Sequence, residues 1–214
     1  MKTPLAATAL MLLGALPSGA GEIAVEAQVG YFDMAAQRSA TALFGSSGGA
    51  TFGGAVRYTF WRGAFASAGV RTFSKQGERV FLISPGAPIQ KLGFPISLTL
   101  TPVMVSVGYR FRHGTLIVPY AAVGAAITSY SEKSDVAGQS FNDEGSKTGF
   151  VGAAGVEVGR GRFRFGAEAG YSSVVGAVGL GGISKVYGED DLGGFHAIGK
   201  LIVAFGGKPK TAKP

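Results

Sequence analysis

The sequence predicts an all-β fold, an eight-stranded antiparallel up-and-down transmembrane β-barrel. Three observations carry it. Eight segments alternate apolar with small or polar residues at period two; every charge within them falls on the small-residue side; and short connections alternate strictly with long ones.

Composition bounds the reading before any element is placed. A chain of 214 residues suits one domain. Its 36 glycines are more than twice the average usage of about 7 per cent, yet 46 % apolar content excludes a disordered glycine-rich chain, so glycine serves close packing. Beyond the N-terminus no apolar run approaches the roughly 18 residues a membrane helix needs, so any spanning is done by strands. The lack of cysteine removes disulfides, cysteine-ligated metals and a lipoprotein anchor. Lys2, an apolar stretch from Leu5 to Leu16, then Pro17 and Ser18-Gly19-Ala20 predict a secretory signal peptide over residues 1–20, cleaved after Ala20. Residues 21–205 form the expected barrel, and 206–214 a short basic periplasmic tail with Lys208, Lys210 and Lys213.

In the first strand Ile23, Val25, Ala27, Val29 and Tyr31 alternate with Ala24, Glu26, Gln28, Gly30 and Phe32. The second sets Phe52, Gly54, Val56, Tyr58 and Phe60 against Thr51, Gly53, Ala55, Arg57 and Thr59, and Trp61-Arg62-Gly63 turns the chain. The third places Ala64, Ala66, Ala68, Val70 and Thr72 opposite Phe65, Ser67, Gly69 and Arg71. In the fourth, Ile96, Leu98 and Leu100 set one phase and Val103, Val105, Val107, Tyr109 and Phe111 the other. The switch falls at Pro102, which lacks the ladder donor, and so predicts a bulge over residues 101–103. Arg112-His113-Gly114 is the next tight turn. The fifth strand, Thr115 to Tyr130, is apolar or small on both faces and its orientation is unreadable. The sixth opposes Phe150, Gly152, Ala154, Val156 and Val158 to Val151, Ala153, Gly155 and Glu157, and a third short turn spans Gly159 to Gly161. The seventh has Phe163, Phe165, Ala167, Ala169 and Tyr171 against Arg164, Gly166, Glu168 and Gly170; the eighth runs from Phe195 to Phe205 with His196 and Lys200 on its polar side.

Alternation does not say which face is out, because a soluble barrel with an oily cavity shows the same period. The charges decide. A water-facing side would be densely charged, whereas this polar side is mostly Gly, Ala, Ser and Thr with about one charge per strand. Glu26, Arg57, Arg71, Arg110, Glu157, Arg164, Glu168 and Lys200 therefore project into a lumen that eight strands leave wide enough for side chains but not for a broad channel. Unpaired charge there is costly, so a ladder of Arg–Glu contacts plugs the lumen, five cations to three anions. Tyr31, Tyr58, Phe60, Trp61, Tyr109, Phe111, Phe163, Tyr171, Phe195 and Phe205 cluster toward strand ends, as interfacial girdles do. Short turns near Arg62, His113 and Arg160 are periplasmic; long segments over residues 33–50, 74–94, 131–147 and 172–193 are external loops. Within the second of these, Val80 to Ile83 either extends the third and fourth strands, turning at Pro85-Gly86, or forms a partner-binding patch.

The chain resembles the small eight-stranded outer-membrane barrels, the OmpA-like transmembrane domain and the opacity-type surface proteins, over nearly all of residues 21–205. The resemblance rests on Thr101-Pro102-Val103 through Val107-Gly108-Tyr109-Arg110-Phe111, on Val118-Pro119-Tyr120-Ala121-Ala122-Val123-Gly124, and on the closing strand ending at Phe205. Gly199-Lys200-Leu201-Ile202-Val203-Ala204-Phe205 stands one residue out of step with the family's assembly signal, and the nine residues after it imply no cell-wall-binding function. The resemblance implies an outer-membrane location, contact with outer-membrane lipid and lipopolysaccharide, and insertion by the barrel-assembly machinery.

Catalysis finds no support in the sequence. Some such barrels resemble lipid A deacylases or acyltransferases that use a His–Ser pair, but His113 lies in a periplasmic turn and His196 is followed by Ala197-Ile198. Asp143-Glu144 and Glu189-Asp190-Asp191 read as solvated loop charge before they read as a calcium site, and no cofactor is implied. Gly179 to Gly182 follows no strand-then-helix pattern suited to phosphate, and the net charge of +7 is too scattered for nucleic acid. Two functions remain: a structural or surface-interaction barrel, meeting an external ligand or host surface through its loops, and a small porin or hydrophobic-solute channel.

Overall fold

The computed structural model describes residues 21–111, 115–136, 138–176, 178 and 182–206. Eight strands run in chain order: β1 (Glu22–Met34), β2 (Gly48–Trp61), β3 (Ala64–Phe81), β4 (Gln90–Arg110), β5 (Ile117–Val136), β6 (Gln139–Arg160), β7 (Phe163–Ser173) and β8 (Gly194–Gly206). Each pairs antiparallel with its sequence neighbours, and β1 pairs with β8 to close the ring. The signal peptide, the turn with Arg112 and His113, and the basic tail lie outside the described residues. At the first tight turn Arg62 and Gly63 take φ of 43° and 100°, the paired left-handed geometry of a two-residue hairpin, and the Arg62 guanidinium lies 5.3 Å from the Trp61 ring.

The faces follow from register. Val25, Val29, Phe52, Val105, Val123 and Phe165 are exposed along the outer wall, while Glu26, Arg57, Arg110, Glu157 and Lys200 are buried inside. Such a surface is soluble only in lipid. Rings gather at both rims of this belt: Tyr58 against Phe60 and Tyr109 against Phe111 at the short-turn end, Tyr31, Tyr171 and Phe195 at the other. The fifth strand also gains an orientation, since Val118, Tyr120, Ala126 and Thr128 are buried inward and Ile117, Val123 and Ile127 point out.

The bulge expected at residues 101–103 is absent. β4 pairs with β5 without a break from Ile96↔Ser134 to Arg110↔Tyr120, and the β3 register is the same at Val70↔Val103 as at Phe73↔Leu100. Even-numbered residues of β4 point inward throughout: Ile96, Leu98 and Leu100 are buried, while Val103, Val105 and Val107 are exposed. The strand keeps its phase and its surroundings change. Below Pro102 the apolar side meets lipid; above it the apolar side fills the barrel and the outer side turns to Ser97, Thr99 and Thr101. The irregularity lies higher, between Glu78 and Val80, where Gly93 takes φ of 76° and donates its N–H to Glu78.

The four long connections also differ from simple loops. Those expected at residues 74–94 and 131–147 are largely sheet, for β3 continues to Phe81, β4 starts at Gln90, β5 reaches Val136 and β6 starts at Gln139. β3 to β6 thus form a tall wall. On the low side, residues 33–50 hold α1 (Gln37–Phe44) and residues 172–193 hold α2 (Gly182–Tyr187). α1 has no side-chain cap of its own and no acid in its first turn. The Glu189 carboxylate caps it from the far end of the chain, accepting the Arg38 N–H at 3.0 Å, the Ser39 N–H at 2.8 Å and the Ser39 hydroxyl at 2.6 Å. Asp191 accepts the Val174 and Gly193 N–H groups and the Ser173 hydroxyl. Glu189 and Asp191 are therefore structural acceptors, not the solvated charges expected. Asp143 and Glu144 do stay exposed.

Candidate functional site

The lumen is where charged side chains converge from every strand except β5, which supplies Tyr120. In its lower part Glu157 and Arg57, 1 % and 2 % exposed, are in direct contact, and Arg57 also meets Glu26 at 3.3 Å. Arg110 bridges Glu157 at 3.0 Å and Glu22 at 2.9 Å. Arg164 pairs with the same Glu22, donating from Nη1 and Nη2 to its two carboxylate oxygens. Two Arg57 nitrogens, Nε and Nη2, make no hydrogen bond among the described residues; the guanidinium instead lies 5.3 Å from the Phe65 ring.

One level higher Glu168 is the hub. It accepts Lys200 Nζ at 2.6 Å, the Tyr120 hydroxyl at 2.9 Å and Arg71 Nη2 at 3.1 Å, with His196 Nε2 at 3.6 Å. Lys200 reaches on to Glu26 at 3.2 Å, and Gln28 joins the levels by donating to Glu26 and accepting from Arg71. Glycine makes room for the rings. A Cβ on Gly155 would stand 2.6 Å from the Tyr120 hydroxyl, and one on Gly170 the same distance from the His196 imidazole.

All eight charges expected in the lumen are thus in one connected network, joined by four residues outside that set: Glu22, Gln28, Tyr120 and His196. Glu22 changes the balance, so five cations face four carboxylates rather than three. It opens its strand in phase with Ala24 and Glu26 but was not among the charges expected inside. Tyr120 was hidden by the ambiguity of its strand.

Above the network the lumen turns apolar, with Met34, Ala40, Phe73, Leu98, Leu100, Val174 and Leu192 packed together and Phe44 of α1 against them. Gly77 of β3 is where α1 seats, since a Cβ there would lie 2.0 Å from the Leu43 carbonyl oxygen. Among the described residues the lumen holds small spaces of about 50 Å³ among the charges and about 40 Å³ in the apolar part. Arg71, Met104 and Val151 line both. Each holds a few waters at most.

No protein-family model and no curated sequence matches the chain. Solved structures do. The outer membrane protein OprG from Pseudomonas aeruginosa is similar at 15 % identity and a TM-score of 0.61, covering 88 % of this chain and 97 % of that one. A major outer membrane protein from Thermus thermophilus is similar at 9 % identity and 0.50, covering 87 % and 100 %. The N-terminal β-barrel domain of Pseudomonas aeruginosa OprF is similar at 13 % identity and 0.48, covering 86 % and 97 %. The chain has the fold of the small outer-membrane β-barrels. In that fold the short turns lie at one end of the barrel and the tall β3–β6 wall and two helices at the other.

Proposed function

We propose that this barrel is non-conducting and non-enzymatic, a structural or surface-interaction protein that meets an external ligand or host surface through its outer wall and helical connections. The observation that carries the reading is a double seal: a paired ionic network fills the lower lumen, and an apolar core under α1 and α2 fills the upper. A hydrated path through the first would have to break several buried ion pairs, and one through the second would have to wet a packed apolar core. An enzymatic role lacks support because, among the described residues, His196 Nε2 makes no hydrogen bond to a hydroxyl and faces Glu168 instead. Lipid and lipopolysaccharide surround the belt in this reading, the barrel-assembly machinery engages the closing strand β8, and nucleic acid has no part.

Planar-bilayer recording on the purified, refolded chain tests it. The expected trace is silent at all holding potentials, and a steady ohmic step from the wild type would overturn the sealed lumen in favour of a small porin or solute channel.

A further inference from the structure

The two ends of the barrel differ in charge. In the long connections, residues 33–50, 74–94, 131–147 and 172–193, Asp and Glu outnumber Lys and Arg. The short-turn end is one-sided: residues 59–66, 109–116 and 158–165 hold no acid, nor does any position after Phe205. Arg62, Arg160 and Arg162 are exposed there, and none of them is in an ion pair among the described residues. The carboxylates at this level, Glu22 and Glu157, face the lumen and are taken by Arg57, Arg110 and Arg164.

These arginines stand beside rings. Arg62 lies 5.3 Å from the exposed Trp61 ring, and Arg160 is the ladder partner of the exposed Phe163. The remaining short turn repeats the pairing in sequence as Phe111-Arg112. Arg62 has a further peculiarity: with φ of 43° it holds the left-handed conformation, alone among the described non-glycine residues. Glycine or asparagine takes that conformation at lower cost, and Asn-Gly is the favoured pair for such a hairpin. An arginine kept there against backbone preference points to a task for its charge.

We infer that the short-turn rim is a docking surface for the phosphate groups of anionic phospholipid, with a headgroup seated between an arginine and the ring beside it. The rim lies opposite the helices and the tall wall, so this assignment and the surface-interaction reading stand or fall separately.

Three features select that occupant. Height favours a membrane lipid over a soluble polyanion: interfacial rings lie at headgroup level, Arg62 follows its ring in the chain and Arg160 faces its ring across the ladder. Donor geometry favours phosphate, since a guanidinium with no protein carboxylate offers paired N–H groups to two phosphate oxygens while the ring packs on the acyl chain. Charge favours an anionic lipid over a zwitterionic one. A zwitterionic headgroup brings an ammonium with it, and this end of the barrel holds no free carboxylate to receive it among the described residues.

Trp61, the single tryptophan, sits in one of these seats and reports on it. The intact protein is refolded into equimolar vesicles of phosphatidylcholine and phosphatidylglycerol, with bromine, a contact quencher of tryptophan, on the chains of one lipid or the other. At about 0.1 M salt brominated phosphatidylglycerol is expected to quench Trp61 as though enriched about two- to five-fold beside it, and at about 1 M salt the two lipids are expected to quench alike. Arg62→Asn is expected to erase the enrichment while folded, heat-modifiable migration persists. Lys91→Gln, which removes the same charge at the tip of the wall, is expected to leave it intact. Equal quenching by the two lipids in the wild type, or enrichment that survives Arg62→Asn, overturns the inference. An equal loss in both variants overturns it too, because net charge rather than a seat would then be at work. Loss of the enrichment on adding inorganic phosphate at constant ionic strength would overturn it in favour of a free anion. Should Arg62→Asn not refold, Arg62→Gly removes the same charge at a position that suits glycine, and enrichment surviving there overturns it equally.

Discussion

Replacing Glu168 by glutamine removes the one negative charge on which Lys200, Arg71, Tyr120 and His196 converge. The amide keeps the volume and one acceptor, so packing is spared and the effect is electrostatic. Breaking a buried ion pair from one side costs roughly 3 to 5 kcal/mol, because a desolvated cation is left behind. Here each cation retains a second partner, Lys200 with Glu26 at 3.2 Å and Arg71 with Gln28 at 3.0 Å. The low end applies, about 3 kcal/mol, or about two orders of magnitude in the folding equilibrium. The barrel carries its own reporter, since Trp61 is the single tryptophan and is 63 % exposed on the lipid side of the first turn. Urea titration in vesicles followed by Trp61 emission gives the midpoint for wild type, Glu168→Gln and the exposed-wall control Glu144→Gln. The first variant is expected to unfold at clearly lower urea with an unchanged slope, and the control with the wild type. Equal shifts in the two variants would mean that Glu168 is not in a desolvated interior, and would refute the assignment of inside and outside.

Three further outcomes follow from named contacts. Glu189→Ala strips α1 of its remote cap, a loss of about 1 kcal/mol, so added protease is expected to cut residues 37–44 in intact vesicles while heat-modifiable migration persists; continued protection would show that α1 does not depend on this contact. Gly155→Ala drives a Cβ to within 2.5 Å of the Ala167 carbonyl oxygen and 2.6 Å of the Tyr120 ring, an overpacking of about 1 to 3 kcal/mol, and an unchanged urea midpoint would show that the ring does not lie across that glycine. At the wall, burial raises the Glu132 carboxyl above its ordinary 4.5, against the pull of Arg79 and with the push of Asp143. A raised acid favours the folded state while protonated and loses that contribution as pH climbs through the folded value, so amides around Glu132 should become less protected from exchange between acid and neutral pH; Glu132→Gln should flatten that dependence, and an unaltered slope would count against it.

What the sequence could show depended on whether the two faces of a strand differ. β1 was legible because Val25 and Val29 oppose Glu26 and Gln28 in one unbroken run. β5 was not, because the lumen beside Ala122, Gly124 and Ala126 is lined by groups as small as those outside. Above the membrane the extension of β3 and β4 was one of two readings of Val80 to Ile83, whereas that of β5 and β6 was missed for the opposite reason: residues 131–136 and 139–147 are largely polar on both faces, and period two vanishes when water wets both sides. The charged network was readable residue by residue, yet its pairing depends on cross-barrel distances such as Arg57 to Glu157, 100 positions apart in the chain. Helix α1 left no local signal at its N-terminus, although Gly45 closes it in the left-handed conformation. Its sequence offers no cap, and the carboxylate that substitutes arrives from Glu189, 150 residues away.

The unbroken phase of β4 through Pro102 implies that a single-residue slip would be punished differently on either side of that level. Below it, a shift of one would turn Arg110 outward at the aromatic rim, where a cation costs about 0 to 1 kcal/mol, and would drive Val103, Val105 and Val107 into the polar lumen. Above it, the same lesion would send Ile96, Leu98 and Leu100 into water and bring hydroxyls into the vacated core, about 1.5 to 3 kcal/mol for each apolar side chain exposed. Both zones therefore defend the same reading frame with opposite chemistries, and a deletion survivable at the wall's tip, beyond Gln90, would be lethal to the fold anywhere along the strand beneath it.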